Sequence, residues 1–120
     1  MKLPNNENAL ISREKLTEYL LSETHPVGKA KARFFRSLGF NENNVDVFLN
    51  GLHSIAREGE VVQAIPSPYG VKYVVEGLLE TISGGGIKIR TVWIVENDSD
   101  DPRFVTAYPQ SEVGGGIRNG

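Results

Sequence analysis

The chain has 120 residues, of which 39% are hydrophobic and 23% charged, a composition typical of one globular domain and not of a disordered chain. Its 13 basic and 15 acidic residues give a net charge of −2, so the chain as a whole has no cationic surplus that would indicate nucleic-acid binding. The absence of cysteine excludes a disulfide framework, a thiolate metal site and a thiol nucleophile, and two histidines disfavour a multi-histidine metal centre.

The N-terminal segment 1–10 is polar and rich in asparagine, and it lacks the apolar stretch of a signal peptide. No apolar run approaches the roughly 18 residues that a membrane span requires. We therefore expect a cytoplasmic protein without membrane contact, unless it is carried elsewhere as part of a larger polypeptide. We also expect a single domain over 1–120, with an ordered core at about 3–109 and a flexible glycine-rich tail at 110–120.

The first half of the chain predicts an extended lead-in followed by three helices. Ser12 is a suitable N-cap for the first helix, and Pro26 fits the first turn of the second. Gly39 fits the position just after the end of the second helix, and Gly59 ends the third. Apolar residues at helical spacing fill the segments between these signals. The expected bounds are 3–11 for the lead-in, 12–21, 26–38 and 45–57 for the helices, and 41–44 for a turn.

From Glu60 onward the apolar pattern has a period of two, which predicts strands. Short connections between successive strands favour an antiparallel meander, and helices that precede the strands pack as one layer on one sheet face. We therefore predict an α+β fold with two to three N-terminal helices packed on a four-stranded antiparallel meander sheet, whose other face is free to bind a ligand. The expected strands are 61–65, 71–79, 87–96 and 103–108, joined by turns at 66–70 and 97–102 and by a loop at 83–86.

Lys31 is the most informative polar residue of the sequence. It is one of four cations in the acid-free segment 24–41, and on a helical projection it falls inside the apolar stripe. Such a lysine either snorkels past the apolar residues or extends its ammonium group into a cleft that holds a phosphate, and both interpretations stay open. Lys29 projects on the opposite, solvated face. The stripe consists of Val27, Ala30, Phe34 and Leu38, with Phe35 at its edge.

His25 lies at the start of the same helix. Free N–H groups and the helix dipole attract anions to such a position, where a histidine can act as a general acid or base near neutral pH. The alternative is a capping or solvated side chain. We interpret His53, at the edge of the third helix's apolar stripe, as structural.

Arg90 is predicted on the open face of the sheet, because the strand alternation puts Trp93 and its neighbours on the core face. An arginine there can bind a phosphate bidentately, or it can form an ordinary cross-strand ion pair with Glu76. Thr106 and Tyr108 share a face of the fourth strand and can donate hydrogen bonds to a phosphate, although each is also ordinary strand material.

Five segments carry a resemblance to a known family: Lys15-Leu16-x-x-Tyr19-Leu20-Leu21, His25-Pro26-x-Gly28-x-x-Lys31-Ala32, Pro68-Tyr69-Gly70-x-Lys72-Tyr73, Arg90-Thr91-Val92-Trp93 and Thr106-Ala107-Tyr108-Pro109. They resemble an uncharacterised bacterial domain family of unknown function, whose members occur alone or at the C-termini of larger toxin-like or phage-associated proteins. The order of helices and strands is in turn similar to the barnase–EndoU–colicin–RelE superfamily of ribonuclease toxins.

This resemblance implies a bacterial toxin that cleaves RNA without a metal or cofactor, and a small antitoxin or immunity protein as partner. In the resulting hypothesis His25 takes the proton of a ribose 2′-hydroxyl, Lys31 and Arg90 hold the phosphate, and the product is a 2′,3′-cyclic phosphate. Thr91 or Tyr108 protonates the leaving oxygen. The further substrate contacts are expected to be Lys29, Tyr69, Lys72, Arg103 and Thr106, with Tyr69 able to stack on a base.

The alternative hypothesis is a non-catalytic protein-interaction module, such as a partner-binding or inhibitor protein. The absence of a strong catalytic motif favours it. A ribonuclease needs the basic helix to share one cleft with Arg90, whereas an interaction module needs an exposed apolar patch.

Overall fold

A computed structural model describes residues 1–26 and 28–110 of the chain, so the predicted tail beyond Gln110 lies outside the described residues. Helices come first and four strands follow in an antiparallel meander, which confirms the predicted α+β fold. The helices are α1 (Arg13–Lys15), which continues into a π-helix (Leu16–Leu20), α2 (Lys29–Ser37) and α3 (Val45–Glu58), with short 3₁₀ turns at Asn6–Asn8 and Glu42–Asn44. The strands, paired in the order β1-β2-β3-β4, are β1 (Glu60–Ser67), β2 (Gly70–Glu80), β3 (Gly86–Glu96) and β4 (Arg103–Pro109).

The start of α2 differs from the prediction. The helix begins at Lys29 and not at Pro26, because His25 forms a turn in front of it. The backbone N–H of Gly28 donates to His25 Nδ1 at 3.1 Å, and the N–H of Lys29 donates to the His25 carbonyl at 3.1 Å. A similar correction applies to Ser12, which precedes α1 as predicted but donates its hydroxyl to Glu14 and makes no side-chain cap.

The end of α2 agrees with the prediction. Gly39 has φ +100° and donates its N–H to Arg36, while the N–H of Phe40 donates to the carbonyl of Phe35. These two bonds form a Schellman motif, in which the left-handed residue is favourable only for glycine.

The buried face of α2 is rotated from the predicted stripe. Ala30 is exposed, whereas Phe35, predicted at the edge, is fully buried. The reason is that the Phe35 ring packs 5.0 Å from the ring of Phe48 on α3, which places Phe35 at the centre of the helical layer. Lys31 lies next to this face and is half-buried, as are Phe34 and Leu38.

The helices cover one face of the sheet, with α3 packed directly on β2. The close approach depends on two glycines: a Cβ on Gly77 would lie 3.0 Å from Ile55, and one on Gly51 would lie 2.7 Å from Leu79. The predicted core face of β3 is confirmed, since Ile89, Thr91 and Trp93 are fully buried.

Three details of the sheet were not predicted. Strand β1 extends to Ser67, so the turn expected at 66–70 shortens to two residues, and Pro66 is accommodated because β1 is an edge strand. In β4, Thr106 pairs with Val92 but Phe104 pairs with Trp93, which leaves Val105 as a bulge. The lead-in is partly turned and ends in a parallel bridge between Leu10 and Arg103.

Candidate active site

The ammonium group of Lys31 joins α2 to the edge strand β4. Its Nζ donates to the hydroxyl of Tyr19 at 3.1 Å and to the hydroxyl of Thr106 at 3.2 Å. Within 1–26 and 28–110 it makes no ion pair with a carboxylate. An ammonium group held by two hydroxyls, without a carboxylate partner among the described residues, can bind an anionic ligand.

Tyr19 comes from the π-helix and lies at the centre of this cluster. The Nζ atoms of Lys31 and Lys15 lie 5.5 Å and 5.8 Å from the centroid of its ring, and the ring of His25 packs edge-on at 5.0 Å. π-helical turns often occur at functional sites. The arrangement therefore surrounds one phenol with two cations and an imidazole.

These neighbours change the acidity of the phenol. Burial alone would raise the pKa of Tyr19, but hydrogen bonds from Lys31 and Thr106, together with the charges of Lys31 and Lys15, outweigh burial and lower it below its usual value of 10.0. Each of these groups favours the phenolate, so Tyr19 can exchange a proton at a lower pH than an isolated tyrosine.

Thr106 reaches this cluster from the strand that contains the bulge. A bulge changes the direction of the side chains that follow it, and Thr106 is the first residue after Val105. Its hydroxyl contacts groups from both α2 and the π-helix. Its predicted role as a phosphate donor stays a prediction.

His25 contacts the cluster through Tyr19 but uses Nδ1 as an acceptor for the Gly28 N–H. In a neutral imidazole with Nδ1 as acceptor, the proton is on Nε2. The ring therefore lies in the turn before α2 and packs on Tyr19. In this neutral form Nε2 carries the hydrogen and has no lone pair that could accept a proton.

A cleft of about 690 Å³ opens beside Tyr19 and His25. It lies between the first helical segments and the junction where Leu10 bridges to Arg103. Its walls carry both signs of charge as well as apolar and aromatic surface. The lining residues include Leu10, Ile11, Glu14, Lys15, Glu18 and Phe104.

Arg90 lies on the sheet face opposite the buried Thr91 and Trp93, and it is paired there. Its Nε is 3.3 Å from Glu76 Oε2, and both side chains are largely buried, with 26% and 20% of their surfaces exposed. Tyr108 is directly opposite Arg90 on β4 and is half-buried. The ion pair with Glu76 is the structural alternative anticipated for this arginine, and no described contact joins Arg90 to Lys31 or His25. The cleft shared by Arg90 and the basic helix, which the sequence-based ribonuclease hypothesis requires, is therefore not found among the described residues.

Thr91 lies in the core, where it is fully buried. Its hydroxyl donates to the carbonyl of Val75 at 3.0 Å and accepts from Trp93 Nε1 at 2.7 Å. Both hydrogen-bonding functions are thus used inside the protein, and Thr91 has no surface that could contact a substrate.

The other predicted contact residues are dispersed. Lys29 and Lys72 are exposed, and Tyr69 is 77% exposed at the tip of the β1–β2 turn. Arg103 lines the cleft and pairs with Glu96 at 3.1 Å. His53 is half-buried on α3, where burial and the charge of Arg57 lower its pKa.

Two features are absent from the described part of the chain. In it, no group of three or more histidine and acidic side chains is arranged to hold a metal ion. No helix within 1–26 and 28–110 has both the length and the apolar character needed to cross a membrane.

A family model for a domain of unknown function, DUF6883, matches residues 2–111 of the chain. The chain belongs to the DUF6883 family. The resemblance to a family of unknown function, predicted from the five segments, agrees with this match. No curated protein matches the DUF6883 chain.

The fold of this DUF6883 domain is similar to that of a solved protein chain. That chain belongs to the structure of a contact-dependent growth inhibition toxin–immunity protein complex from Klebsiella pneumoniae 342, with a TM-score of 0.65 and 18% sequence identity. The similarity covers 88% of the DUF6883 chain and 96% of the solved chain. At this level of identity the likeness shows a common fold.

The sequence did not predict the contacts that Tyr19 makes in this DUF6883 domain. Tyr19 was assigned only to the buried face of the first helix. The available signal was its hydroxyl group, because a tyrosine on a packing face requires a hydrogen-bond partner. The partner could not be identified, since Lys31 and Thr106 are 12 and 87 residues away along the chain and meet only in the folded structure.

Proposed function

We propose that this DUF6883 domain is a ribonuclease toxin domain in which Lys31 and Tyr19 form the centre of the active site. The observation that carries the proposal is the ammonium group of Lys31, held between two hydroxyls without a carboxylate partner among the described residues. The similar fold found in a toxin–immunity protein complex supports a toxin or immunity-type role. A small cognate immunity protein is the corresponding partner.

In the proposed reaction Tyr19, as phenolate, takes the proton of a ribose 2′-hydroxyl. The 2′ oxygen then attacks the adjacent phosphorus, the bond from phosphorus to the 5′ oxygen breaks, and a 2′,3′-cyclic phosphate forms. The leaving 5′ oxygen takes a proton from water, and the hydroxide so formed recovers the proton from Tyr19. Lys31 binds a phosphate oxygen and stabilises its developing charge, with Lys15 as a second cation.

The proposal changes four of the roles expected from the sequence. Tyr108 loses its role because the leaving oxygen takes its proton from water. Tyr19 replaces His25 as the proton acceptor, because the Gly28 contact of His25 leaves a hydrogen on its outer nitrogen. His25 becomes a positioning residue for Tyr19. Arg90 and Thr91 are left out, since one is paired with Glu76 and the other is buried in the core.

The test is induced expression in bacteria, followed by RNA analysis and by cleavage assays on the purified protein. Wild type is expected to arrest growth and to leave RNA fragments ending in 2′,3′-cyclic phosphate. Lys31→Ala is expected to permit growth and to lower the cleavage rate by about 100-fold, the usual effect of removing a group that stabilises transition-state charge.

Arg33→Ala is the matched control, since it removes one positive charge from an exposed position of the same helix. It is expected to arrest growth as wild type does. Normal growth with wild type, or undiminished cleavage by Lys31→Ala, would refute the proposed function.

A partner-binding or inhibitor module is the second candidate, favoured by the exposed apolar residues of the first hairpin. Val62, Ile65 and Tyr69 are 45%, 41% and 77% exposed, and β1 is an edge strand with unpaired backbone groups. Such an edge can accept a strand from another protein. Wild-type expression without growth arrest and without RNA cleavage would favour this candidate.

A further inference from the structure

The cleft beside Tyr19 has the size and surface of a small-molecule site. Its volume of about 690 Å³ falls within the range usual for such sites. Leu10, Ile11 and Phe104 supply apolar surface, and the rings of Tyr19 and His25 form part of its walls. Aromatic walls of this kind favour a flat ring, since nucleobases stack on aromatic side chains.

Two carboxylates line the same cleft one helical turn apart, but their environments differ. Glu14 already accepts the hydroxyl of Ser12 at 3.0 Å, and hydrogen bonds from its own backbone N–H and from Ser12, with the nearby Arg13 charge, lower its pKa. The carboxylate of Glu18 makes no hydrogen bond and no ion pair with any part of the chain that the structure describes. A carboxylate of this kind is acceptor-only, so it favours a ligand that presents N–H donors.

Cations lie close to the same residues. Lys15 and Arg103 line the cleft itself, and Lys31 contacts the Tyr19 hydroxyl. A ligand with a phosphate near the two ammonium groups and a planar ring in the cleft would therefore have a lining carboxylate available to the edge of its ring. This is the charge distribution of a nucleotide whose base carries an amino group.

We infer that the cleft is the base-binding part of the proposed active site and that Glu18 selects bases with an exocyclic amino group, binding cytosine in preference to uracil. The inference rests on the proposed function and names its substrate class. Cytosine offers an N–H₂ donor where uracil offers a carbonyl acceptor, so the two bases differ at the atom that would face a carboxylate.

The experiment compares the affinities of the full chain for 3′-CMP and 3′-UMP by titration calorimetry at one salt concentration. Wild type is expected to bind 3′-CMP about tenfold more tightly, the low end of the discrimination that one good side-chain–base contact supplies. Glu18→Gln keeps the size of the side chain but removes its charge, and it is expected to bring the two affinities within about twofold of each other.

Glu7→Gln is the control, because Glu7 is exposed in a 3₁₀ turn and does not line the cleft. It is expected to keep the wild-type preference. Equal affinities in wild type, binding of neither nucleotide, or a preference that survives Glu18→Gln would each overturn the inference. RNA cleavage with equal affinities would overturn this inference and leave the ribonuclease proposal standing. A Glu18-dependent preference without RNA cleavage would support base selection by Glu18 and refute the ribonuclease.

Discussion

The hydroxyl of Tyr19 lies where three parts of the chain meet: the π-helix that carries it, α2 through Lys31, and β4 through Thr106. Lys31 donates to the phenolic oxygen, Lys31 and Thr106 both lower the pKa of Tyr19, and no carboxylate among the described residues competes for the lysine. This is the pattern expected of a group that exchanges protons, since active-site residues are commonly perturbed by a specific charged partner.

The lowered pKa of Tyr19 makes a prediction about the pH dependence of cleavage. If the phenolate is the base, the rate increases with pH as Tyr19 loses its proton, and the midpoint of this increase lies below the usual tyrosine pKa of 10.0. Tyr19→Phe is expected to remove this increase and to lower the rate by about 100-fold. Single-turnover cleavage measured between about pH 6 and pH 9 tests both expectations.

Tyr108→Phe is the matched control, because it removes a hydroxyl from another half-buried tyrosine, opposite Arg90 on β4. The wild-type profile should persist in it. A rate that falls with increasing pH in wild type, or a Tyr19→Phe profile identical to that of wild type, would contradict the assignment of Tyr19 as the base.

At this scale the sequence predicts the position of Lys31 but not its partners. A helical projection is sufficient to place a lysine beside an apolar face, because this depends only on the helix period. The contact with Thr106 also depends on the bulge at Val105, and no residue pattern in β4 marks it.

At the scale of elements, the strongly periodic segments agree best with the prediction. Helix α3 and strand β3 begin and end within one residue of their expected positions. Their patterns are long, and one face of each is buried, so the period alone defines them. The predicted start of α2 was wrong, since the proline rule competes there with the turn that His25 forms by accepting the Gly28 N–H. The sequence does not distinguish this role of a histidine from others.

The junction between α2 and α3 provides a test of backbone strain. Gly39 has φ +100°, and a Cβ there would lie 2.7 Å from the Cβ of Ile82. Gly39→Ala is expected to reduce the free energy of unfolding by the cost of a left-handed alanine, about 1–2 kcal/mol, plus a further penalty for the collision. Guanidinium unfolding followed by circular dichroism measures the loss.

Gly84→Ala separates the two contributions. Gly84 also has a positive φ, of +96°, but a Cβ there meets nothing within 4 Å. Gly84→Ala should therefore lose only the free energy that a left-handed alanine costs, without a collision. It should be more stable than Gly39→Ala by about 1 kcal/mol or more. Equal losses in the two variants would mean that Ile82 moves aside without cost.

At the scale of the whole molecule, the helical layer and the sheet share one core, and its polar centre is the pair Thr91–Trp93. Thr91 is the buried polar residue of the described core, and it supplies the acceptor for the indole N–H. The alternation of the sequence placed both residues on the core face, but the ribonuclease hypothesis assigned Thr91 to catalysis. Alternation does not show which buried hydroxyls already have hydrogen-bond partners in neighbouring strands.

Replacing Thr91 tests this structural role. Thr91→Val keeps the shape of the side chain but leaves the N–H of Trp93 without its acceptor, so the free energy of unfolding is expected to fall by about 1–3 kcal/mol. Thr91→Ser retains the hydroxyl, so its free energy of unfolding should fall by less than that of Thr91→Val. Guanidinium unfolding measures both, and a Thr91→Val protein as stable as wild type would show that the buried hydrogen bond contributes nothing.

Trp93 is the one tryptophan of the chain and is fully buried between the sheet and the helices. Its ultraviolet emission therefore comes from a single indole whose surroundings change only when the two layers separate or the core is repacked. The molecule thus contains its own spectroscopic reporter, and a spectrum of each purified variant distinguishes a lost reaction from a lost fold without any added label.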